Sequence, residues 1–129
     1  MTDESGIVTK ISSRSVADTV TRFTDMLGAK GLKVFAVIDQ AEAAREVGQE
    51  LRDTTLVIFG SPAAGTPVMA AAPLAALDLP LKVLIWDDGG QTKVTYVDPA
   101  ELAARYQLGP DLEKNLEAIN PFTDALVAP

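Results

Sequence analysis

The residues best placed to do chemistry stand between Thr55 and Met69. A strand-like apolar run, Leu56-Val57-Ile58-Phe59, meets Gly60-Ser61-Pro62-Ala63-Ala64-Gly65-Thr66-Pro67. Gly60 and Gly65, four residues between them and Thr66 next, imitate a phosphate-binding loop. Such a loop needs a Lys between its last Gly and the Ser/Thr, together with a run of backbone N–H donors. That Lys is absent, and Pro62 and Pro67 each remove a donor. A nucleoside triphosphate site is therefore rejected. A lesser site survives, in which Ser61, the Gly65 amide and a helix starting at Thr66 hold a carboxylate or phosphate of a small ligand. The plain alternative is a tight connection shaped by Gly and Pro.

Elsewhere the chemistry is limited by what is missing. The chain has no His and no Cys, so thiol catalysis, disulfides and iron–sulfur ligation are excluded and zinc is a poor fit. A nucleophile would have to be Ser, Thr, Lys or a carboxylate. There is no Gly-x-Ser-x-Gly elbow, which leaves Ser61 with Lys82 as the one pairing to consider. Asp39, Asp87, Asp88 and Asp98 could offer oxygens to Mg²⁺ or Ca²⁺. They lack EF-hand spacing, and Asp98 and Asp88 already have cap and turn roles, so no metal site is assigned. Trp86 and Tyr96 fall on strands joined by a hairpin. They are expected as near cross-strand neighbours, packing the sheet or walling a ligand.

At 129 residues the chain fits one domain, 1–129. Its 47% hydrophobic content predicts a folded core, and only 5% aromatic content means that aliphatic side chains must fill it. The same scarcity argues against a sugar cleft. Eleven basic against eighteen acidic residues give a net charge of -7, which repels phosphate backbones and anionic lipid. No nucleic-acid or membrane partner is expected. Met1-Thr2-Asp3-Glu4-Ser5 lacks the basic and apolar regions of a signal peptide, so a cytoplasmic location is expected. The apolar stretch Pro67–Trp86 is nearly long enough to span a bilayer, but Pro67, Pro73, Asp78, Pro80 and Lys82 interrupt it.

The elements that must position these residues follow from periodicity. Ile7–Ile11 reads as a first strand. Val16, Val20, Phe23 and Leu27 form one helical face behind the caps Ser13–Ser15, and Gly28 and Gly31 end it. Val34–Ile38, nearly all apolar, predicts a strand covered on both faces. Asp39 caps a short helix, Ala41–Val47. The third strand is Leu56–Phe59, and a helix opens at Thr66-Pro67 and ends at Pro73. Leu81–Trp86 and Thr92–Val97 are strands joined by Asp87-Asp88-Gly89-Gly90. Asp98-Pro99-Ala100-Glu101 is a capping box. Leu112, Leu116 and Ile119 line a last helix that Asn120-Pro121 stops. The hairpin forces antiparallel pairing, so the fold class is α+β.

Three segments in this order carry a family resemblance. They are Phe59 to Met69, Leu79-Pro80-Leu81-Lys82-Val83-Leu84-Ile85-Trp86-Asp87-Asp88, and Thr95-Tyr96-Val97-Asp98-Pro99 with Leu102-Ala103-Ala104-Arg105-Tyr106. Together with Val34–Ala44 and Val47-Gly48 they resemble the domain of unknown function 302 family, over nearly the whole chain. The resemblance implies an α+β fold of β-α-β(4)-α type, with a mixed or antiparallel sheet packed against helices. It implies no activity and no catalytic residues. Members of that family resemble Asp-His at Asp39-Gln40, Gly-Asn-Pro at Gly60-Ser61-Pro62 and Arg-His at Arg105-Tyr106, so no imidazole role carries over.

The expectation is a non-catalytic small-molecule-binding or sensing domain, with a small anionic ligand held by Asp39, Gly60, Ser61, Gly65, Thr66, Lys82 and Tyr96. No cofactor is assigned. Two rivals stand beside it: an enzyme using carboxylate or Tyr acid–base chemistry, and a structural domain for homodimerisation. The apolar segment Ala70–Leu79 and a free sheet edge make a homodimer the expected assembly. A deep pocket edged by the loop would favour binding, a perturbed carboxylate inside it catalysis, and a flat self-complementary patch assembly.

Overall fold

The computed structural model describes residues 1–129. Its strands are β1 (Ile7–Ser12), β2 (Lys33–Asp39), β3 (Thr54–Gly60), β4 (Leu81–Asp88) and β5 (Gln91–Val97). Its helices are α1 (Val16–Ala29), α2 (Gln40–Glu46), α3 (Pro62–Ala71), α4 (Pro99–Tyr106), α5 (Pro110–Glu113) and α6 (Ile119–Val127). The strands form one sheet in the order β1-β5-β4-β3-β2, and every neighbouring pair is antiparallel. The architecture is α+β.

Strand period two divides the sheet residues between its faces. Val57 and Phe59 of β3, Val83 and Ile85 of β4, and Val94 and Tyr96 of β5 are buried on one face. They pack against Phe23 and Leu27 of α1 and against Ile119 and Leu126 of α6. The Phe23 and Phe59 rings meet edge-on at 5.2 Å. The register places Ile38, Leu56, Leu84, Thr95 and Thr9 side by side on the opposite face. None of these five is buried, so the sheet carries its helices on one side.

α1 starts where the sequence predicts, with Ser15 accepting from Asp18 N at 3.0 Å. The buried stripe is Val16, Thr19, Phe23 and Leu27, with Val20 only partly buried. Thr19 can sit inside because its hydroxyl meets Ser15 O at 2.7 Å and Ser12 Oγ at 2.9 Å. The hairpin forms as expected, with Asp88 opposite Gln91 and two residues between them.

Three expectations are corrected. β2 is an edge strand, with Phe35, Val37 and Ile38 exposed. A continuous apolar run does not by itself report cover on both faces, and a register shift between Val34 and Ala36 breaks the alternation. The helix after β3 begins at Pro62 rather than Pro67. Ser61 caps it by accepting from Ala64 N at 3.3 Å, and Pro67 lies inside the helix. Ser61-Pro62 carries the same start signal as Thr66-Pro67, and Ala63 and Ala64 propagate it. Lastly, Asn120-Pro121 opens α6 instead of stopping a helix, since a first-turn proline gives up only an N–H with no intrahelical partner. The chain after Pro121 docks, burying Thr123 and Leu126.

Candidate functional site

β3 lies between β4 and β2, and its C-terminal end delivers the chain into α3. Around that junction the fold leaves a cavity of about 330 Å³. One wall is the junction itself: Gly60, Ser61, Pro62, Ala64, Gly65, Thr66 and Met69. A second wall comes from Leu32, just before the edge strand β2, and Phe35 within it. Leu79, Pro80 and Leu81 form a third, and Asn115, Leu116, Ala118 and Phe122 close the cavity from the C-terminal segment.

The lining is almost wholly apolar and contains no titratable side chain. Its polar side chains are uncharged. Ser61 Oγ accepts from Ala64 N at 3.3 Å, which leaves its own O–H to donate. Asn115 Nδ2 donates to Ala64 O at 3.1 Å, which leaves a second N–H and the carbonyl oxygen. That bond also ties the C-terminal segment to α3.

The candidate residues separate into three places. Gly60, Ser61, Gly65 and Thr66 line this cavity together. Lys82 and Tyr96 border a second depression of about 220 Å³ with Asp78, and only Leu81 is common to both. Asp39 lines neither: it pairs with Thr55 at the start of β3, about 17 Å along the strand from Gly60. It caps α2 by accepting from Glu42 N at 2.9 Å.

Tyr96 is buried on the helical face and donates to Asn120 Oδ1 at 2.6 Å, with Lys10 Nζ 5.2 Å from its ring centre. Trp86 lies on the open face and donates from Nε1 to Thr95 Oγ1 at 3.0 Å. The two aromatics are therefore not neighbours. The expected near pairing fails on parity: Trp86 is opposite Lys93, three residues from Tyr96.

The remaining carboxylates are held locally. Asp87 accepts from Gly90 N at 3.1 Å. Asp88 accepts from Lys93 Nζ at 2.6 Å, which, with its charge, draws the Asp88 pKa down. Asp98 caps α4 by accepting from Ala100 N at 2.9 Å. Neither half of the expected capping box forms: the Asp98 side chain accepts from Ala100 N rather than Glu101 N, and Asp98 N is donated to Gly6 O at 2.8 Å. At the second depression Tyr106 donates to Asp78, and Arg105 reaches the same carboxylate at 3.0 Å. The Tyr106 hydroxyl is the main cause of a lowered Asp78 pKa, with Arg105 adding to it, and Asp78 in turn raises Tyr106.

Sequence reasoning missed Phe35, Asn115 and Phe122 as cavity residues. Phe35 stood in a strand expected to be covered on both faces. Phe122 follows the proline expected to end the helix. Asn115 reaches Ala64 across 51 residues, a contact with no local signature.

An antiparallel sheet with helices on one face, and an apolar cavity where its third strand ends, define the class. Residues 8–126 match the family described as "Domain of unknown function DUF302", and the chain belongs to it. The crystal structure of an uncharacterized conserved protein DUF302 from Bacillus stearothermophilus has the same fold. The TM-score is 0.79 over 95% of both chains, at 20% identity. The fluoride-specific ion channel FluC 1 of Brucella suis is 42% identical over 107 residues, 82% of this chain and 42% of that protein. FluC 1 of Brucella abortus is likewise 42% identical over 107 residues, covering 40% of its length. The chain thus spans about two-fifths of the curated relatives it matches. No helix is long and apolar enough to cross a membrane.

Proposed function

We propose that this chain is a non-catalytic domain that binds a small molecule in the cavity at the C-terminal end of β3. The convergence of the β3–α3 junction, the edge strand and the C-terminal segment on one volume of about 330 Å³ carries the reading. That volume falls at the lower end of the range of small-molecule pockets, about 300–1,000 Å³. The absence of any acid or base in the lining supports binding over carboxylate or tyrosine catalysis. The same absence favours an uncharged ligand over the small anion that the loop sequence alone suggests.

The Brucella relatives are longer chains named as fluoride-specific ion channels. In such a chain a domain of this kind would act as a sensing module that reports its ligand to the remainder. Fluoride itself is not the ligand proposed, since the cavity lining offers no cation to replace its water. A thermal-shift screen of a broad small-molecule library tests the reading, comparing the wild type with Gly65→Leu, whose side chain would occupy the cavity. Compounds that raise Tm of the wild type and not of the variant support it. A library without such a compound counts against it.

A second reading has an observation of its own. Leu74 and Leu77 are 71% and 75% exposed, at the end of a stretch without charge from Pro62 to Leu77. That surface favours self-association, which light scattering of the wild type against Leu74→Glu and Leu77→Glu would test.

A further inference from the structure

Gly65 has no structural reason to be glycine. It sits inside α3, where glycine costs about 0.5–1 kcal/mol relative to alanine. Its backbone is not in the left-handed region, unlike that of Gly6 or Gly31. No neighbour presses on it either: a Cβ placed there would meet nothing closer than Met69 Cε at 3.9 Å, an ordinary contact. Glycine's usual justifications, a positive φ and a close approach, are both absent. What the missing side chain does leave is space, and Gly65 lines the cavity.

The electrostatics of the same cavity restrict what could use that space. No lining residue is charged, and every fully buried side-chain polar atom already has a partner. Lys82 and Lys114 adjoin the lining residues Leu81 and Asn115 in the chain but do not line the cavity; Lys33 has its Nζ 4.8 Å from the centre of the Phe35 ring. Lys33 is itself exposed and does not line the cavity. A carboxylate or phosphate carried inside would lose its water with no counter-charge to replace it. A hydroxyl or carbonyl would find the free O–H of Ser61 or the amide of Asn115. A cavity of 150 Å³ holds benzene, so about 330 Å³ suits roughly a dozen non-hydrogen atoms.

Resting on the binding reading above, we infer that the ligand is an uncharged, mainly apolar molecule with at most a hydroxyl- or carbonyl-type polar end. We also infer that Gly65 is the residue that sets its size.

The test uses the whole chain and three probes, 1-decanol, decanoate and inorganic phosphate, followed by NMR at the Met69 methyl and the Gly65 amide. Decanol should shift these signals saturably. Decanoate should bind about tenfold more weakly or worse, because its carboxylate is buried unpaired, and phosphate should leave them unmoved. Gly65→Ala should weaken decanol binding, and Gly65→Leu should abolish it with the fold intact by circular dichroism. Decanoate or phosphate binding as tightly as decanol overturns the inference while leaving a binding site. So does decanol failing where charged compounds of the library screen bind at these signals. Unaltered decanol affinity in Gly65→Leu overturns the assignment of Gly65. Signals that move on dilution rather than on decanol addition would show a second copy filling the cavity, and would overturn both inference and reading.

Discussion

Replacing Gly65 by alanine should make this protein more stable. The magnitude follows from three features of the position. It is in the interior of α3, where the change from glycine to alanine gains about 0.5–1 kcal/mol by restricting the unfolded chain. Its backbone lies outside the left-handed region, so the new Cβ brings no strain. That Cβ would meet Met69 Cε at 3.9 Å and nothing nearer, so no overpacking cost offsets the gain. In urea denaturation the midpoint should rise with an unchanged m value, and Tm should rise by about 2–4 °C. A lower midpoint would show that the space beside Gly65 is not there, and the cavity argument would fall with it. A higher midpoint together with weaker ligand binding is the expected pair of results, since the residue gives up stability for volume.

The same substitution at Gly6 should have the opposite sign. Gly6 has φ +78 and an added Cβ would lie 2.7 Å from Glu101 Cβ, so Gly6→Ala should cost about 2–4 kcal/mol from left-handed strain and overpacking, read by urea denaturation. Asp98→Ala should cost about 1 kcal/mol, while Asp98→Asn and Asp98→Ser should nearly match the wild type, because each can still accept from Ala100 N; equal losses in Asn and Ala would show that the charge is needed. For Asp78 the folded pKa lies below its ordinary 3.8, chiefly through Tyr106. Its contribution is therefore complete above that value and is lost as pH falls through the folded one. The Tm advantage of wild type over Asp78→Asn should be constant near neutral pH and shrink below about pH 4; a gap independent of pH would refute the assignment.

The strands were legible because their signals are local. Apolar runs bounded by glycine, proline and aspartate located all five, and Asp88-Gly89 located the hairpin. The fold class followed from that antiparallel turn and from the family resemblance together. Cap chemistry was legible in kind but not always in place. Ser61-Pro62 and Thr66-Pro67 are equivalent start signals five residues apart, and only tertiary packing around β3 selects the first. At Asp98 the cap forms, but a backbone carbonyl from Gly6 takes the bond that Glu101 would have made. Half of the cavity could be read from the glycine–proline loop, whose residues are contiguous. Much of the rest comes from segments distant in sequence, Phe35, Asn115 and Phe122 among them. The inclusion of Asp39 and Lys82 rested on chemical type alone, and strand direction carries Asp39 to the opposite end of the sheet.

The most direct measurement is a crystal structure of the wild-type protein with bound 1-decanol or the strongest hit of the thermal-shift screen. The account predicts density for the molecule between Gly65 and Met69 on one side and Phe35 and Phe122 on the other, with its polar end near Ser61 or Asn115. Density in the second depression, which Asp78 and Lys82 border together with Leu56 and Leu84, with the β3–α3 cavity left to water, would contradict it.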